Sequence, residues 1–142
     1  MRISQILGKK GSGVITVRGS ASVRSLLATL DEWNIGAVVV IGDGGGLEGI
    51  ASERDVVRRL YSTGASILDG PISAIMTPVM HTCSPEDQIE GLRATMTEHR
   101  IRHLPVLDNG ELVGIISIGD VVKSAIDELE AEREHLVQYI QH

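Results

Sequence analysis

The chain has 142 residues, 19 acidic and 13 basic, and a formal charge of −6 at pH 7. That charge repels nucleic-acid backbones, and with no Phe, one Trp and two Tyr there is no aromatic set on which unpaired bases could stack, which argues against nucleic acid as a partner. A single cysteine, Cys83, excludes an intrachain disulfide and a multi-cysteine zinc site, and a chain of this length can bury roughly 68–70% of its unfolded surface without either.

No apolar run approaches about 18 residues and the first residues carry no secretory signal pattern, so a soluble, cytoplasmic protein with no membrane partner is expected. Residues 14–17 read as a short strand. Val23, Leu26, Leu27, Leu30 and Trp33 then share one helical face. Residues 36–41 form a continuous apolar run suited to a strand covered on both sides. A glycine-rich turn at 43–46 leads to a strand at 47–51, and Ser52 reads as the cap of a helix reaching about Tyr61.

Residues 64–71 read as a linker. Beyond it, Ser84-Pro85-Glu86-Asp87 places a cap residue, a first-turn proline and two acids where a helix should begin. Asn109-Gly110 between apolar runs signals a hairpin. From there Val122, Ile126, Leu129, Arg133, Leu136 and Ile140 recur at alternating spacings of 4 and 3. Two readings stand for this last helix: packing on its own domain, or a seam against a partner subunit. Arg133 within the stripe and the modest length count against the seam.

Internal duplication dominates the pattern. Gly49-Ile50-Ala51-Ser52-Glu53-Arg54-Asp55 returns 65 residues later as Gly114-Ile115-Ile116-Ser117-Ile118-Gly119-Asp120. At an offset of 66, Thr16 falls on Thr82, Val23 on Ile89, Leu26 on Leu92, Leu30 on Met96, and Ile35-Gly36-Ala37 on Ile101-Arg102-His103. The offset changes in the turn, where the first copy is one residue longer. At the front, Ile3-Ser4-Gln5-Ile6-Leu7 matches Ile72-Ser73-Ala74-Ile75-Met76. Neither copy buries much alone, so the two should pack on each other. Each copy presents a hydroxyl and a carboxylate three residues apart after a glycine, a pair of ligand-binding half-shells.

The twin Gly-h-x-Ser-x-x-Asp segments, the Ile101-to-Val106 strand with Pro105, and Ile75-Met76-Thr77-Pro78 together resemble a tandem pair of CBS domains, a Bateman module, over about residues 1–125. The resemblance implies an α/β (α+β) sandwich of two pseudo-twofold-related β-α-β-β-α units packed through their sheets. Residues 1–64 would form unit one, 65–71 a linker, 72–125 unit two and 126–142 a C-terminal helical extension. It further implies an adenosine-containing ligand (AMP, ADP, ATP, NAD or S-adenosylmethionine) in clefts between units, and a disc-shaped homodimer.

The residues suit such a ligand. Asp55 and Asp120 can each accept both hydroxyls of a ribose, in charge-assisted hydrogen bonds that contribute roughly 1.5–3 kcal/mol each. Ser52 and Ser117, at helix N-termini, can meet a phosphate. Gly49 and Gly114 would keep the strand open where the ligand comes close. By resemblance adenine falls to Thr16 with Ile35, Gly36 and Ala37 in unit one, and to Thr82 with Ile101, Arg102 and His103 in unit two. Arg54, Arg58 and Arg102 suit phosphate. Unit two has Gly119 where unit one has Arg54, which favours Asp55 for a charged tail. The alternative is structural, since Ser-x-x-Asp is also an ordinary helix cap.

No nucleophile–base pair, Walker loop or metal-spaced histidine set is present, so no catalysis and no catalytic cofactor are expected. The expected function is a sensor module reporting energy or metabolic state to an unknown regulated protein. A ligand-free assembly protein and a nucleic-acid binder are the alternatives.

Overall fold

The computed structural model describes residues 1–10 and 13–141; residues 11, 12 and His142, the last of the expected extension, lie outside it. Helix α1, Ile3–Lys10, opens the chain, followed by strand β1, Thr16–Arg18. Helix α2, Val23–Trp33, starts at Ser22, whose Oγ accepts from the Ser25 amide at 3.1 Å. It stops where Asn34 turns left-handed at φ 51°, a conformation that asparagine tolerates. Strands β2, Ala37–Ile41, and β3, Leu47–Ser52, then lead into helix α3, Glu53–Ser62. Two short 3₁₀ turns, Ala65–Asp69 and Ile72–Ala74, occupy the linker region and the start of the second copy.

The second copy comprises strand β4, Thr77–Pro78, helix α4, Ile89–His99, strands β5, His103–Asp108, and β6, Glu111–Ser117, and helix α5, Ile118–Gln141. One sheet runs β1-β2-β3-β4, with β1 parallel to β2 and the other pairs antiparallel; β5 and β6 form a second, antiparallel sheet. The apolar run predicted as a doubly covered strand is β2, buried at its first four positions. Asn109 and Gly110, at φ 52° and 82°, make the two-residue hairpin turn that their pairing signals.

The pseudo-twofold is visible in individual hydrogen bonds. Ile3 N donates to Asp87 O at 3.0 Å as Ile72 N donates to Ala21 O at 2.8 Å. Ile89 N donates to Met1 O as Val23 N donates to Gly70 O, both at 3.0 Å. The segment that precedes each unit in sequence therefore docks on the other unit. Ile3 and Ile6 join Ile89, Leu92, Met96, Leu104, Val106 and Ile116 in one core. Ile72 and Ile75 join Val23, Leu26, Leu30, Val38, Val40 and Val56 in the other. The division at 64 and 72 is one of sequence, and the packing crosses it.

Three expectations are corrected. The first strand lies at Thr16–Arg18, two residues beyond its expected start. Ser84 to Asp87 does not open a helix: Ser84 N donates to Asp87 Oδ2 at 2.8 Å and Asp87 N to Ser84 O at 3.0 Å, closing a separate turn. That turn is held by α1, whose Ser4 amide donates to Pro85 O, and α4 begins only at Ile89 after Gln88, which supplies no side-chain cap. Finally, the 122–140 stripe does not pack on its own domain. Ile126, Leu129, Leu136 and Ile140 are 50%, 65%, 63% and 80% exposed, and α5 is anchored instead through buried Val121 and Ser124.

Candidate functional site

A cleft of about 640 Å³ lies between the units. One wall is Gly36 with β3 and the first turns of α3; the other is the 77–81 segment and residues 99–105 at the junction of α4 and β5. Of the residues singled out from sequence, Gly36, Ser52, Arg54, Asp55, Ile101, Arg102 and His103 line it, as does Arg58. Thr16, Ile35, Ala37, Thr82, Ser117 and Asp120 are not among its lining residues. This cleft brings Asp55 of the first copy together with Ile101, Arg102 and His103 of the second. The crossed packing causes this, because β4 of the second copy adds to the first sheet beside β3.

Asp55 is fixed by its own helix start. Its Oδ2 accepts from Ser52 N and from Ser52 Oγ, both at 2.9 Å, and its amide donates to Ser52 Oγ at 3.3 Å. The opposite oxygen, Oδ1, accepts from Thr77 Oγ1 at 3.2 Å. The first amide of α3, on Glu53, is held by Gly36 O at 3.0 Å. A reciprocal capping box of this kind positions a carboxylate rigidly at a helix N-terminus. Ser117 and Asp120 build the twin box, with Ser117 N donating to Asp120 Oδ2 at 2.9 Å and Asp120 N to Ser117 Oγ at 3.1 Å.

The motif glycines do something other than expected. A Cβ on Gly49 would stand 2.7 Å from Thr77 O and 2.8 Å from Met76 Sδ, and one on Gly114 would stand 2.5 Å from Leu7 Cδ2. Each glycine admits the segment that leads into the other unit, Met76-Thr77 at Gly49 and Leu7 at Gly114, against the sheet. Close approach is indeed the reason for glycine, but the approaching group is protein.

Several lining residues had no site role in the sequence reading. Thr77 reaches Asp55 Oδ1, whereas Thr82, assigned to adenine in unit two, does not line this cleft. Val79 and Met80 supply apolar surface, with Met80 80% exposed. His81 and His99 stack with ring centroids 4.3 Å apart and planes inclined by 29°. Arg100 ends α4 in the left-handed conformation, φ 54°, as Asn34 ends α2. Positive φ in a non-glycine residue at the motif's doorstep was the missed signal, legible only through the alignment of Asn34 with Arg100. Among the described residues no three His, Cys, Asp or Glu side chains converge to hold a metal ion, and no helix is long and apolar enough to cross a membrane.

The sequence profile of the CBS domain matches residues 10–62 and again 72–127. A mitochondrial CBS domain-containing protein of Arabidopsis thaliana is 32% identical over 147 aligned residues, covering 98% of this chain and 71% of its own. The crystal structure of a CBS-domain containing protein from Agrobacterium tumefaciens superposes with a TM-score of 0.82 at 40% identity, over 87% of this chain and 92% of that one. A CBS domain protein from Pyrobaculum aerophilum, solved in complex with AMP, superposes with a TM-score of 0.74 at 28% identity, over 84% of this chain and 89% of that one.

Proposed function

This chain belongs to the CBS domain family, and we propose that it is a regulatory module that binds an adenosine-containing ligand in the cleft between its units and reports occupancy to a partner protein. The observation that carries the reading is the Asp55 carboxylate, rigidly presented at a cleft formed by both units. A ribose would offer two hydroxyls to its Oδ1 side, which Thr77 Oγ1 also meets at 3.2 Å. Ile101, Val79 and Met80 provide the apolar surface that a purine needs. The AMP-bound relative from Pyrobaculum aerophilum supports that ligand class. Because the ligand would touch both units, binding would shift their relative packing, and that shift is the signal. Exposed Trp33, Val57 and Tyr61 and the apolar stripe of α5 are consistent with a homodimer.

The test is calorimetric titration with AMP, ADP, ATP, NAD and S-adenosylmethionine. At least one should bind, and Asp55→Ala should weaken it by about 30- to 150-fold, the equivalent of roughly 2–3 kcal/mol. A second reading, a ligand-free assembly protein, draws on the fact that Asp55 already has internal donors on both oxygens. A complete absence of binding across the panel would favour it.

A further inference from the structure

Helix α5 is about 36 Å long at 1.5 Å per residue, and from Ile126 to Gln141 every residue of it is exposed. The matches to the CBS profile stop at residue 127, so this arm is additional to the two units. An unaccompanied helical arm of about four turns is marginal in water, and this one carries apolar side chains along its length. Val121 and Ser124 hold α5 to the body of the protein. The stripe of Val122, Ile126, Leu129, Arg133, Leu136 and Ile140 lies on the other side of the helix, its apolar members half or more exposed. Written as heptads, the stripe takes positions a and d, with Lys123 and Glu130 at e and Glu132 at g. The charges on this seam balance, Lys123 and Arg133 against Glu130 and Glu132. The other acids of the helix, Asp120, Asp127, Glu128 and Glu134, fall at outward positions b and c. Two copies can therefore meet along the stripe without setting net charge against net charge.

We infer that α5 pairs with α5 of a second copy, antiparallel and in one register. In that register Val122 meets the partner's Ile140, Ile126 the partner's Leu136, and Leu129 the partner's Arg133. The stripe has the same spacing read from either end, so every one of its members finds an opposite number. Arg133, set against the partner's Leu129, stands between the partner's Glu130 and Glu132, which neutralise it. At the flanks Tyr139 falls beside the partner's small Ala125, and Val137 beside the alkyl stem of the partner's Lys123. A parallel pair would instead stack Arg133 on its own copy. A basic helix from another protein would confront Arg133 with like charge. The inference gives the homodimer a definite seam outside the units, and it stands or falls independently of the ligand.

Sedimentation of the full chain tests the seam, and cysteine cross-linking tests its direction. The parent should dimerise, and Leu129→Asp combined with Leu136→Asp should weaken the dimer by about a hundredfold or more. Both leucines are exposed, so the two cores of the double variant should stay folded, as near-native thermal unfolding would show. Arg133→Glu should weaken the dimer by about tenfold, and adding Glu130→Lys and Glu132→Lys to it should recover most of the loss. For cross-linking, Val122→Cys and Ile140→Cys are made separately on a Cys83→Ala background, which leaves no native thiol. Oxidation of the two variants mixed should give the mixed disulfide in preference to either variant joined to itself. If Ile140→Cys joins mainly to itself, the helices run parallel and the inference is overturned. A parent that stays monomeric overturns it, and so does a dimer untouched by the leucine substitutions, which would place the contact on the units. None of these outcomes bears on ligand binding, which the calorimetric titration reads separately.

Discussion

Thr77 Oγ1 donates to Asp55 Oδ1 at 3.2 Å, linking the leading strand of the second copy to the motif helix of the first. With the Ser52 contacts, this gives the carboxylate a structural duty beside its proposed ligand duty. Asp55→Ala should therefore lower stability by about 1–2 kcal/mol, the usual cost of losing a helix cap, as well as weakening the ligand. Thr77→Val removes only the crossing contact and should cost about 1 kcal/mol or less. Urea denaturation of both variants checks the order, and an Asp55→Ala protein as stable as the parent would show that the cap carries no weight.

The duplication was legible because paired positions kept both character and spacing: Val23, Leu26 and Leu30 line one core as Ile89, Leu92 and Met96 line the other. Asp55 and Ser52 were legible for the same reason. The crossing of the preceding segments was not. Ile3 and Ile72 match each other in sequence, but nothing local says which unit either will enter, since any apolar cavity of suitable size would accept them. The composition of the cleft followed from that crossing, so Thr77, His81 and Arg100 could not be placed before it was known. The Ser84 turn misled because a cap signature is only as good as the hydrogen bonds it is left to make. There Asp87 turns back onto Ser84 rather than extending a helix.

The two motif glycines should differ in their tolerance of a methyl group. At Gly49 the added Cβ would meet the Thr77 backbone oxygen at 2.7 Å, and β4 is paired there and cannot retreat without losing its bonds. At Gly114 the obstacle is the end of the Leu7 side chain, which can change rotamer. Gly49→Ala should cost about 2–3 kcal/mol, within the range for overpacking, and Gly114→Ala about 1 kcal/mol. Thermal melting of the pair reads the difference, and equal losses would contradict the distinction.

Cys83 is buried and its thiol donates to Pro105 O at 3.6 Å. Burial, with the Asp87 charge a second cause, pushes the thiol from 9.0 up to about 12. The folded protein therefore holds its proton where the unfolded chain releases it. Stability should be indifferent to this group below about pH 9 and fall as pH rises from about 9 towards 12, by roughly 1.4 kcal/mol per pH unit. Cys83→Ala should flatten that alkaline slope. At pH 8 the native thiol should react with a maleimide far more slowly than the thiol of the denatured chain; comparable rates would mean the side chain is accessible.

The reciprocal cores make the sharpest mutational contrast. Ile3 and Ile72 are both fully buried, each in the unit other than the one it leads into. Ile3→Ala should cost about 2–5 kcal/mol and Ile72→Ala a similar amount, as truncations that leave a cavity do. The location of the damage distinguishes this packing from one in which each segment serves its own half. Hydrogen exchange on Ile3→Ala should rise first in α4, β5 and β6, and on Ile72→Ala in α2, β2 and β3. The opposite assignment would mean that the segments do not cross, and the cleft that pairs Asp55 with Arg102 would lose its foundation.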